Sequence, residues 1–436
     1  MEKVDLVIIG AGSAGCAAAY FASQYGYRVL CLERRPMERA GAHWVNAVPA
    51  RVFPAVGIAR PQGAELRGAN VPFHLFAGMG PERVTICDHG NLEIDMRLLT
   101  KRLRGLAEAS GALFLGNIEI KQVTDTEVKT TNGSYQFEWL IDASGLSGCN
   151  ALQNKGPSKE DICAAAQWVC KITDQRSARA FFETYEVPWG ETLCFSGVAG
   201  GYSVINVRAE EDELSILTGS IPGDGHPSGQ ALAKRFIENE PWIGEMIFGG
   251  SRAIPLWHHC CRITKGRIAA IGDAASQVYA AHGSGVGLGL MSAYLCVNTL
   301  ATGGDLFTYE ARWNREHGGL LAGANAFRRF SQSLTVDELK TLIKNQILDS
   351  ELALSGLVQE APHLSLATAL NKVKALMRYP ELRQRLQRVL MKMVYYEVMY
   401  ARFPDSERES ALWFEKLKRV DGAPSIKLTN FVSGLR

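Results

Sequence analysis

A glycine-rich turn between two short apolar segments constrains the fold of this chain more than any other feature. Residues 3–9 form an apolar run rich in β-branched side chains, and residues 10–15 follow with the spacing GxGxxG. Residues 16–22 are mostly small, and residues 27–32 form a second apolar run that ends at Glu33. A strand, a helix and a second strand in this order, with an acidic residue about twenty positions after the glycines, form the βαβ unit that binds dinucleotides.

Each residue type in this pattern has a physical role. Gly10 lets the chain turn sharply off the first strand, and Gly12 has no Cβ atom, so a pyrophosphate can approach the backbone. Gly15 allows the helix to pack closely on the strand, and the N–H groups at the start of the helix face the phosphates. Glu33 can accept hydrogen bonds from both ribose hydroxyls and would repel a 2′-phosphate, which favours the ADP moiety of FAD or NAD over NADP. The alternative is a glycine-rich turn in an ordinary α/β domain.

Length and composition predict a soluble protein of more than one domain. The chain has 436 residues, and two or three domains are expected at this length. Hydrophobic residues make up 47% and charged residues 21%, and the net charge of +2 gives no strong field toward nucleic acid or an anionic membrane. No run of about eighteen apolar residues is free of charges and helix breakers, and the first strand begins too early for a signal peptide. We therefore expect a cytoplasmic protein that binds neither nucleic acid nor membrane.

The ten cysteines favour buried, reduced thiols over a disulfide framework. None is spaced as CxxC, and several lie in apolar runs. His258 and His259 lie next to Cys260 and Cys261, but no spaced partners complete a set of metal ligands. We therefore expect no metal site.

Two later segments have the residue types of a cofactor cleft. A short apolar strand leads into the polar, glycine-containing turn 142–147. Residues 267–271 form another buried strand, which is followed by Asp273, and the glycine-rich segment 282–290 then opens a helix predicted to reach Leu300. The aspartate can hold a sugar-like hydroxyl, and the helix start offers N–H groups to an electron-rich ring edge.

The remaining patterns predict a β-rich middle and a helical end. Residues 160–255 contain strand-like runs separated by Gly, Pro and charged turns, typical of a mostly antiparallel sheet that could hold a substrate. From about residue 305 the pattern is helical, with Thr335 and Glu338 spaced as a capping box. Residues 372–402 contain eight basic and two acidic residues, which are either a solvated helix face or a surface for a peptide or protein partner.

The three glycine-containing segments, in this order, resemble those of the para-hydroxybenzoate hydroxylase-like FAD superfamily. That group includes aromatic hydroxylases, flavin-dependent halogenases and geranylgeranyl reductases, and the resemblance covers residues 1–330 in outline. It implies an α/β fold with a Rossmann-like FAD-binding domain, an antiparallel β-sheet substrate domain and a helical C-terminal domain. The implied boundaries are 1–50, 91–155 and 256–330 for the FAD-binding domain, 51–90 and 156–255 for the substrate-binding domain, and 331–436 for the helical domain.

The resemblance also implies which residues contact FAD. The FAD pyrophosphate would be held by Gly10, Gly12, Ser13, Ala14 and Gly15, and the adenosine ribose by Glu33, with Arg34 and Arg97 beside the adenosine and pyrophosphate. Asp273 would bind the ribityl chain, and Gly285, Val286 and Gly287 would face the flavin ring. Asp142 and Gly145 would line the cofactor cleft.

Departures from the family patterns separate the subfamilies. The WxWxIP run of the halogenases is absent, and residues 200–206 lack the YxWxFP-like motif of the geranylgeranyl reductases. Residues 276–282 lack the prolines that aromatic hydroxylases usually carry after GDAA. Residues 43–49, the Gly-Gly-Tyr-Ser stretch 200–203 and the helical C-terminal region look most like flavoprotein monooxygenases that mature tryptophylquinone cofactors, of the quinohemoprotein amine dehydrogenase type.

This narrower resemblance implies a monooxygenase that uses NAD(P)H and O2 and hydroxylates an electron-rich ring through C4a-hydroperoxyflavin. The substrate would be a tryptophan in a partner polypeptide, and the enzyme would be a monomer or a weak oligomer. His43, Tyr279 and His282 are the candidates for orienting substrate or moving protons, with packing in a loop or at the helix entry as the alternative for each. The alternative functions are a flavin reductase of isoprenoid double bonds, a small-molecule aromatic hydroxylase or halogenase, and a non-catalytic FAD-binding partner protein.

Overall fold

The strands and helices alternate in the N-terminal part and give way to helices in the last third. The computed structural model describes residues 2–258, 262–362 and 365–421, so His259, Cys260 and Cys261 lie outside the described residues. The strands are β1 (Glu2–Ile9), β2 (Val29–Leu32), β3 (Val45–Pro49), β4 (Leu66–Ala69), β5 (Phe73–Ala77), β6 (Arg83–Ile86), β7 (Asn91–Asp95), β8 (Leu113–Leu115), β9 (Ile120–Val123), β10 (Glu127–Thr130), β11 (Gly133–Asp142), β12 (Ile162–Ile172), β13 (Thr192–Ser196), β14 (Ser203–Glu210), β15 (Glu213–Ser220), β16 (Ile243–Pro255), β17 (Thr264–Lys265) and β18 (Ile268–Ala270). The helices are α1 (Ser13–Gln24), α2 (Val52–Ala55), α3 (Met96–Ala109), α4 (Gln175–Thr184), α5 (Gly229–Asn239), α6 (Val286–Ala301), α7 (Leu306–Trp313), α8 (Gly319–Gln332), α9 (Val336–Lys344), α10 (Ser350–Leu357), α11 (Leu366–Leu376), α12 (Pro380–Ala401) and α13 (Glu407–Asp421).

The first sheet brings distant parts of the chain to one edge. Its main strand order is β17-β18-β11-β1-β2-β8, and β1 pairs in parallel with both β2 and β11. The register places Ile9 opposite Asp142, and Asp142 opposite Ala270. The carboxyl ends of three parallel strands therefore meet, which is where ligands bind in open α/β sheets.

Small side chains let the helices pack closely on this sheet. Residues 16–19 at the start of α1 are fully buried, and α1 packs against α3 and α6. Such close packing follows from the predicted βαβ unit, and the structure confirms its strand, helix and strand. The second strand begins at Val29, two residues later than the pattern of residues 27–32 predicts.

A seven-stranded sheet with the order β16-β12-β15-β14-β13-β5-β6 forms the second layer. The pairing is antiparallel except for β13 with β5, as the turn-rich sequence predicts. Helices α4 and α5 cover one face with an apolar cluster that includes Phe182 and Phe236. The other face looks toward a three-stranded sheet of order β3-β7-β4. The sequence patterns did not predict α4 or the long strand β16.

The helical region from α7 onward closes one side of the molecule. The capping box of Thr335 and Glu338 is confirmed, with both reciprocal hydrogen bonds present. Helices α9 and α10 pack on β5 and β6, so this region contacts the second sheet directly. In the described residues, no helix has both the length and the apolar composition needed to cross a membrane.

Helix α6 begins at Val286, later than the glycine-rich pattern predicts. Residues 279–284 form a closed turn instead, in which the Gly283 N–H donates to the Tyr279 carbonyl at 2.9 Å. Gly283 has a φ of +76°, a left-handed conformation that an α-helix excludes. Because of this turn, helix α6 begins later than predicted. The segment before the turn lies at the carboxyl edge of the first sheet.

Candidate cofactor cleft and active site

A cleft of about 430 Å³ lies at the carboxyl ends of β1, β11 and β18. Ten of the predicted cofactor-binding residues line it: Gly10, Gly12, Ser13, Ala14, Glu33, Arg34, Gly145, Asp273, Gly285 and Val286. The structure thus brings together three segments that are separated by more than a hundred residues in the chain. The other four, Gly15, Arg97, Asp142 and Gly287, are not among the lining residues.

The glycine turn has the shape needed to hold a pyrophosphate. A Cβ atom built on Gly12 would have its nearest neighbour, the Gly41 Cα atom, 4.0 Å away, so the space beside it is open. A Cβ atom on Gly15 would lie 1.8 Å from the Gly10 carbonyl oxygen, which shows how closely α1 approaches the turn. Helix α1 begins at Ser13 without a side-chain cap, so its first N–H groups face the cleft.

Glu33 is held rigidly at the end of β2. Its side chain is buried, with 5% of its surface exposed, and its Oε2 atom accepts a hydrogen bond from the Ala11 N–H at 3.0 Å. Its Oε1 atom accepts one from the Arg35 N–H at 3.0 Å. Oε1 also accepts a hydrogen bond from the Arg35 Nε atom at 3.4 Å, so Oε2 is the oxygen that keeps a lone pair for a ribose hydroxyl. An unpartnered polar atom in the same wall, the Trp44 indole Nε1, also fits a polar occupant.

Arg34 and Arg97 lie in different surroundings. Arg34 lines the cleft and donates from Nη1 to the Ser147 carbonyl at 3.1 Å. Arg97 pairs with Asp95 at 2.6 Å and stacks its guanidinium 3.4 Å from the centre of the Phe248 ring. A contact of Arg97 with a dinucleotide stays a prediction.

Asp142 and Gly287 do not line the cleft, but each of them fixes the position of a segment that does. Asp142 is 1% exposed and accepts hydrogen bonds from the Ser144 N–H at 3.0 Å and the Ala151 N–H at 2.8 Å, so it fixes the turn that carries Gly145. A Cβ atom on Gly287 would lie 3.1 Å from the Val52 side chain, so this glycine lets α6 approach α2 closely.

Asp273 and Arg252 face the middle of the cleft. Burial raises the pKa of Asp273 to about 6, and the nearby Arg252 guanidinium opposes that rise. Arg252 donates to the Gly41 carbonyl, which ties β16 to the loop before β3. The sequence patterns did not single out Arg252, because a lone arginine in a strand has no local signal that distinguishes it from a surface residue.

We expect the Asp273→Asn variant to remove a pH dependence from the stability of the FAD-free protein. Because the folded-state pKa lies above the unfolded value of about 3.9, folding favours the protonated carboxyl. Its contribution to stability is present below about pH 4 and is lost as the pH rises to about 6. Melting temperatures from pH 4 to pH 7 test this, since the difference between wild type and variant should change across that window. A constant difference would contradict it.

The three predicted catalytic candidates fall into two groups. Tyr279 and His282 lie together on the turn before α6, with ring centroids 4.9 Å apart. His43 lies on the loop before β3, and its pKa is lowered by burial and by the charges of Arg252 and Arg35. Of these three side chains, Tyr279 and His282 contact each other.

The pKa values of Tyr279 and His282 are shifted in opposite directions. Burial raises the pKa of the Tyr279 hydroxyl to about 12, so the hydroxyl keeps its proton at neutral pH. His282 is exposed to solvent, and the surrounding protein lowers the pKa of its ring, while a hydrogen bond with the Gly356 backbone opposes that decrease. The imidazole is therefore neutral at neutral pH, and α10, which carries Gly356, reaches the site.

Residues 5–77 match the family model for FAD dependent oxidoreductases. The solved structure of a geranylgeranyl bacteriochlorophyll reductase-like protein from Thermoplasma acidophilum aligns with a TM-score of 0.70 and 17% identity, covering 89% of this chain and 100% of that one. A probable FAD-dependent monooxygenase from Pseudomonas aeruginosa aligns with a TM-score of 0.55 and 14% identity, covering 76% of this chain and 97% of its own. The chain has the fold of the FAD-dependent oxidoreductases. The predicted fold class is thus confirmed, including the helical C-terminal region.

The curated proteins that this chain resembles include lipid reductases. The digeranylgeranylglycerophospholipid reductase of Sulfolobus acidocaldarius is 24% identical over 96% of this chain and 97% of its own. Digeranylgeranylglycerophospholipid reductase 2 of Methanothermobacter thermautotrophicus is 26% identical over 79% of this chain and 91% of its own. Both alignments therefore extend well beyond residues 5–77.

Proposed function

We propose that this protein is an FAD-dependent reductase that saturates carbon–carbon double bonds of a prenyl chain. The observation that carries the proposal is the end-to-end alignment with the Sulfolobus acidocaldarius lipid reductase, which spans 96% of this chain. The full-length structural match to the Thermoplasma acidophilum protein supports the same fold. This reductase was the alternative from the sequence, and the comparisons favour it over the tryptophan hydroxylase.

The residues that line the cleft would contact both the ADP part and the flavin part of FAD. Gly12 and the start of α1 would receive the pyrophosphate, Glu33 the ribose hydroxyls and Asp273 the ribityl chain. Gly285 and Val286 would place the N–H groups of the α6 start at the ring edge. Bound FAD would supply two-electron redox chemistry, with NAD(P)H proposed as the source of the electrons.

The side chains of Tyr279 and His282, on the turn before α6, would transfer protons. Saturation of a double bond needs a hydride, which reduced FAD would deliver, and one further proton. Tyr279 keeps its hydroxyl proton at neutral pH and can donate it to the substrate, after which the tyrosinate would recover a proton from solvent, and the neutral His282 ring beside it can relay that proton. Their ring contact at 4.9 Å keeps the two groups together.

We expect the His282→Gln variant to lose about 100-fold in the rate of the single turnover, in the range of general acid–base catalysis. FAD affinity should stay unchanged, since His282 is not among the residues that line the cofactor cleft. Rates of flavin reoxidation by substrate, measured beside FAD titrations, separate the two effects. Tyr279→Phe is the matched variant and should show a similar loss. An unchanged rate in both variants would leave these residues with a packing role.

The test of the reductase is an anaerobic turnover. FAD-loaded protein would be reduced with dithionite under argon and mixed with a digeranylgeranyl glycerophospholipid. The proposal requires return of the oxidised flavin spectrum and a lipid that has gained two hydrogens by mass spectrometry. Unchanged lipid together with persistently reduced flavin would overturn it.

A second candidate function is hydroxylation of a tryptophan in a partner polypeptide, with NAD(P)H and O2 as cosubstrates. One observation favours it: a probable FAD-dependent monooxygenase from Pseudomonas aeruginosa has the same fold, with a TM-score of 0.55. The same reduced protein, mixed with O2 and a tryptophan-containing peptide, distinguishes the two. Oxygen incorporated into the peptide, with no reaction of the lipid, would select this candidate.

A further inference from the structure

A second cavity, of about 110 Å³, lies between the seven-stranded sheet and the three-stranded sheet. Strand β3 separates it from the cofactor cleft. Val45 and Ala47 line the cavity, whereas Trp44 and Asn46 line the cleft, as expected for side chains that alternate along a strand. The cavity is thus a distinct chamber one strand away from the proposed FAD site.

Three side chains in the wall of this cavity have oxygen atoms without a hydrogen-bond partner in the described part of the chain. They are the Asn91 Oδ1, the Thr192 Oγ1 and the Asn206 Oδ1 atoms. Asn91 and Thr192 are buried, with 3% and 7% of their surfaces exposed. Three unpartnered oxygens around one cavity are costly, and they indicate an occupant that donates hydrogen bonds.

The orientation of Asn91 is set by a second contact. Its Nδ2 atom donates to the Leu357 carbonyl at 3.3 Å, which assigns the amide nitrogen and leaves Oδ1 as the free acceptor. Leu357 ends helix α10 and also lines the cavity. The C-terminal helical region therefore helps to place the acceptor.

Charge in the cavity wall favours a cation. The wall contains three carboxylates and two guanidinium groups. Arg67 pairs with Glu213 and, at 3.2 Å, with Glu210, while Arg208 pairs with Glu93. One carboxylate is thus in excess, and an anion such as a phosphate would meet like charge.

We propose that this cavity binds the primary ammonium group of a small amine. An ammonium group has three N–H donors and no acceptor, which matches three free acceptor oxygens, and its charge balances the excess carboxylate. A cavity of about 110 Å³ has room for such a group and a short carbon chain. The assignment goes beyond the proposed redox reaction and does not depend on it.

Calorimetric titration of FAD-loaded protein with ethylammonium chloride tests the proposal. Tetramethylammonium chloride is the matched probe, because it has the same charge but no N–H donor. Saturable binding of ethylammonium, with at least tenfold weaker binding of tetramethylammonium, is the expected result. Absence of saturable binding of ethylammonium, or equal affinity for both cations, would overturn the proposal.

Variants locate the binding. Thr192→Val together with Asn206→Leu should weaken ethylammonium binding at least tenfold, and Thr184→Val, on the exposed end of α4, should leave it unchanged. Circular dichroism of each variant confirms that the protein is folded. A crystal soaked in ethylammonium chloride should show the nitrogen within hydrogen-bond distance of Asn91 and Thr192. Density for water alone in the soaked cavity would count against the proposal.

Discussion

The Gly12→Ala variant should fold normally and bind FAD at least about 100-fold more weakly, a loss of about 2.7 kcal/mol. The added methyl group meets nothing nearer than the Gly41 Cα atom at 4.0 Å, so the FAD-free protein tolerates it. It fills the open space beside the start of α1, where the pyrophosphate would lie. Fluorescence titration with FAD measures the loss, and circular dichroism with thermal melting reports on the fold.

Gly15→Ala is the contrasting variant, since its methyl group would lie 1.8 Å from the Gly10 carbonyl oxygen. Backbone atoms of the turn cannot move aside as a flexible side chain would. We therefore expect this variant to lose stability with or without FAD. Unchanged FAD binding by the Gly12 variant would refute the placement of the pyrophosphate, and equal melting temperatures for the two FAD-free variants would refute the distinction between them.

The second large effect concerns the junction between the helical region and the second sheet. Arg328 on α8 is 1% exposed, and its Nη2 atom donates to Asp161 at 2.5 Å and to the Leu256 carbonyl at 2.7 Å. Asp161→Ala would leave this guanidinium buried without its carboxylate. We expect a loss of about 3–5 kcal/mol in the free energy of unfolding, measured by urea titration.

Two variants make that result interpretable. Arg329→Ala removes the second salt-bridge partner of Asp161, but the Arg329 side chain is 55% exposed, so the cost should stay below about 1 kcal/mol. The double variant Asp161→Ala with Arg328→Met removes both buried charges and should regain most of the stability lost in the single variant. A single variant as stable as the wild type would show that the other contacts of Arg328 suffice.

The cofactor cleft could be predicted from sequence because each of its parts has a local signal. The GxGxxG spacing, the acidic residue after β2 and the aspartate after β18 each follow a strand, and parallel strands end at one edge. Local patterns cannot show which side chains reach the cleft. Asp142 has the same signal as Asp273, yet its side chain hydrogen-bonds within its own loop, while Arg252 reaches the cleft from near the end of the long strand β16.

The residues proposed to act on the substrate had no such local signal in the sequence. Tyr279 and His282 could be proposed from their position before α6, but Gly356, the backbone partner of His282, lies more than seventy residues later, on α10. The chamber behind β3 is assembled from strands of two sheets and the end of a helix. Pairings of this kind depend on the packing of whole elements, and no periodicity within one segment encodes them.

The contribution of α10 to the site has a consequence for how such proteins diverge. The cofactor cleft is lined by residues within 9–46, 143–149 and 271–289, with Met96 and the segments 118–120 and 252–254, whereas α10 supplies Gly356 beside His282 and Leu357 to the chamber. A chimera that keeps the first part and exchanges the helices after α8 would inherit the coenzyme but take its substrate preference from the donor. Because Arg51 also donates to the Val358 carbonyl at 2.8 Å, such an exchange would need the matching residue on the α2 side to come with it.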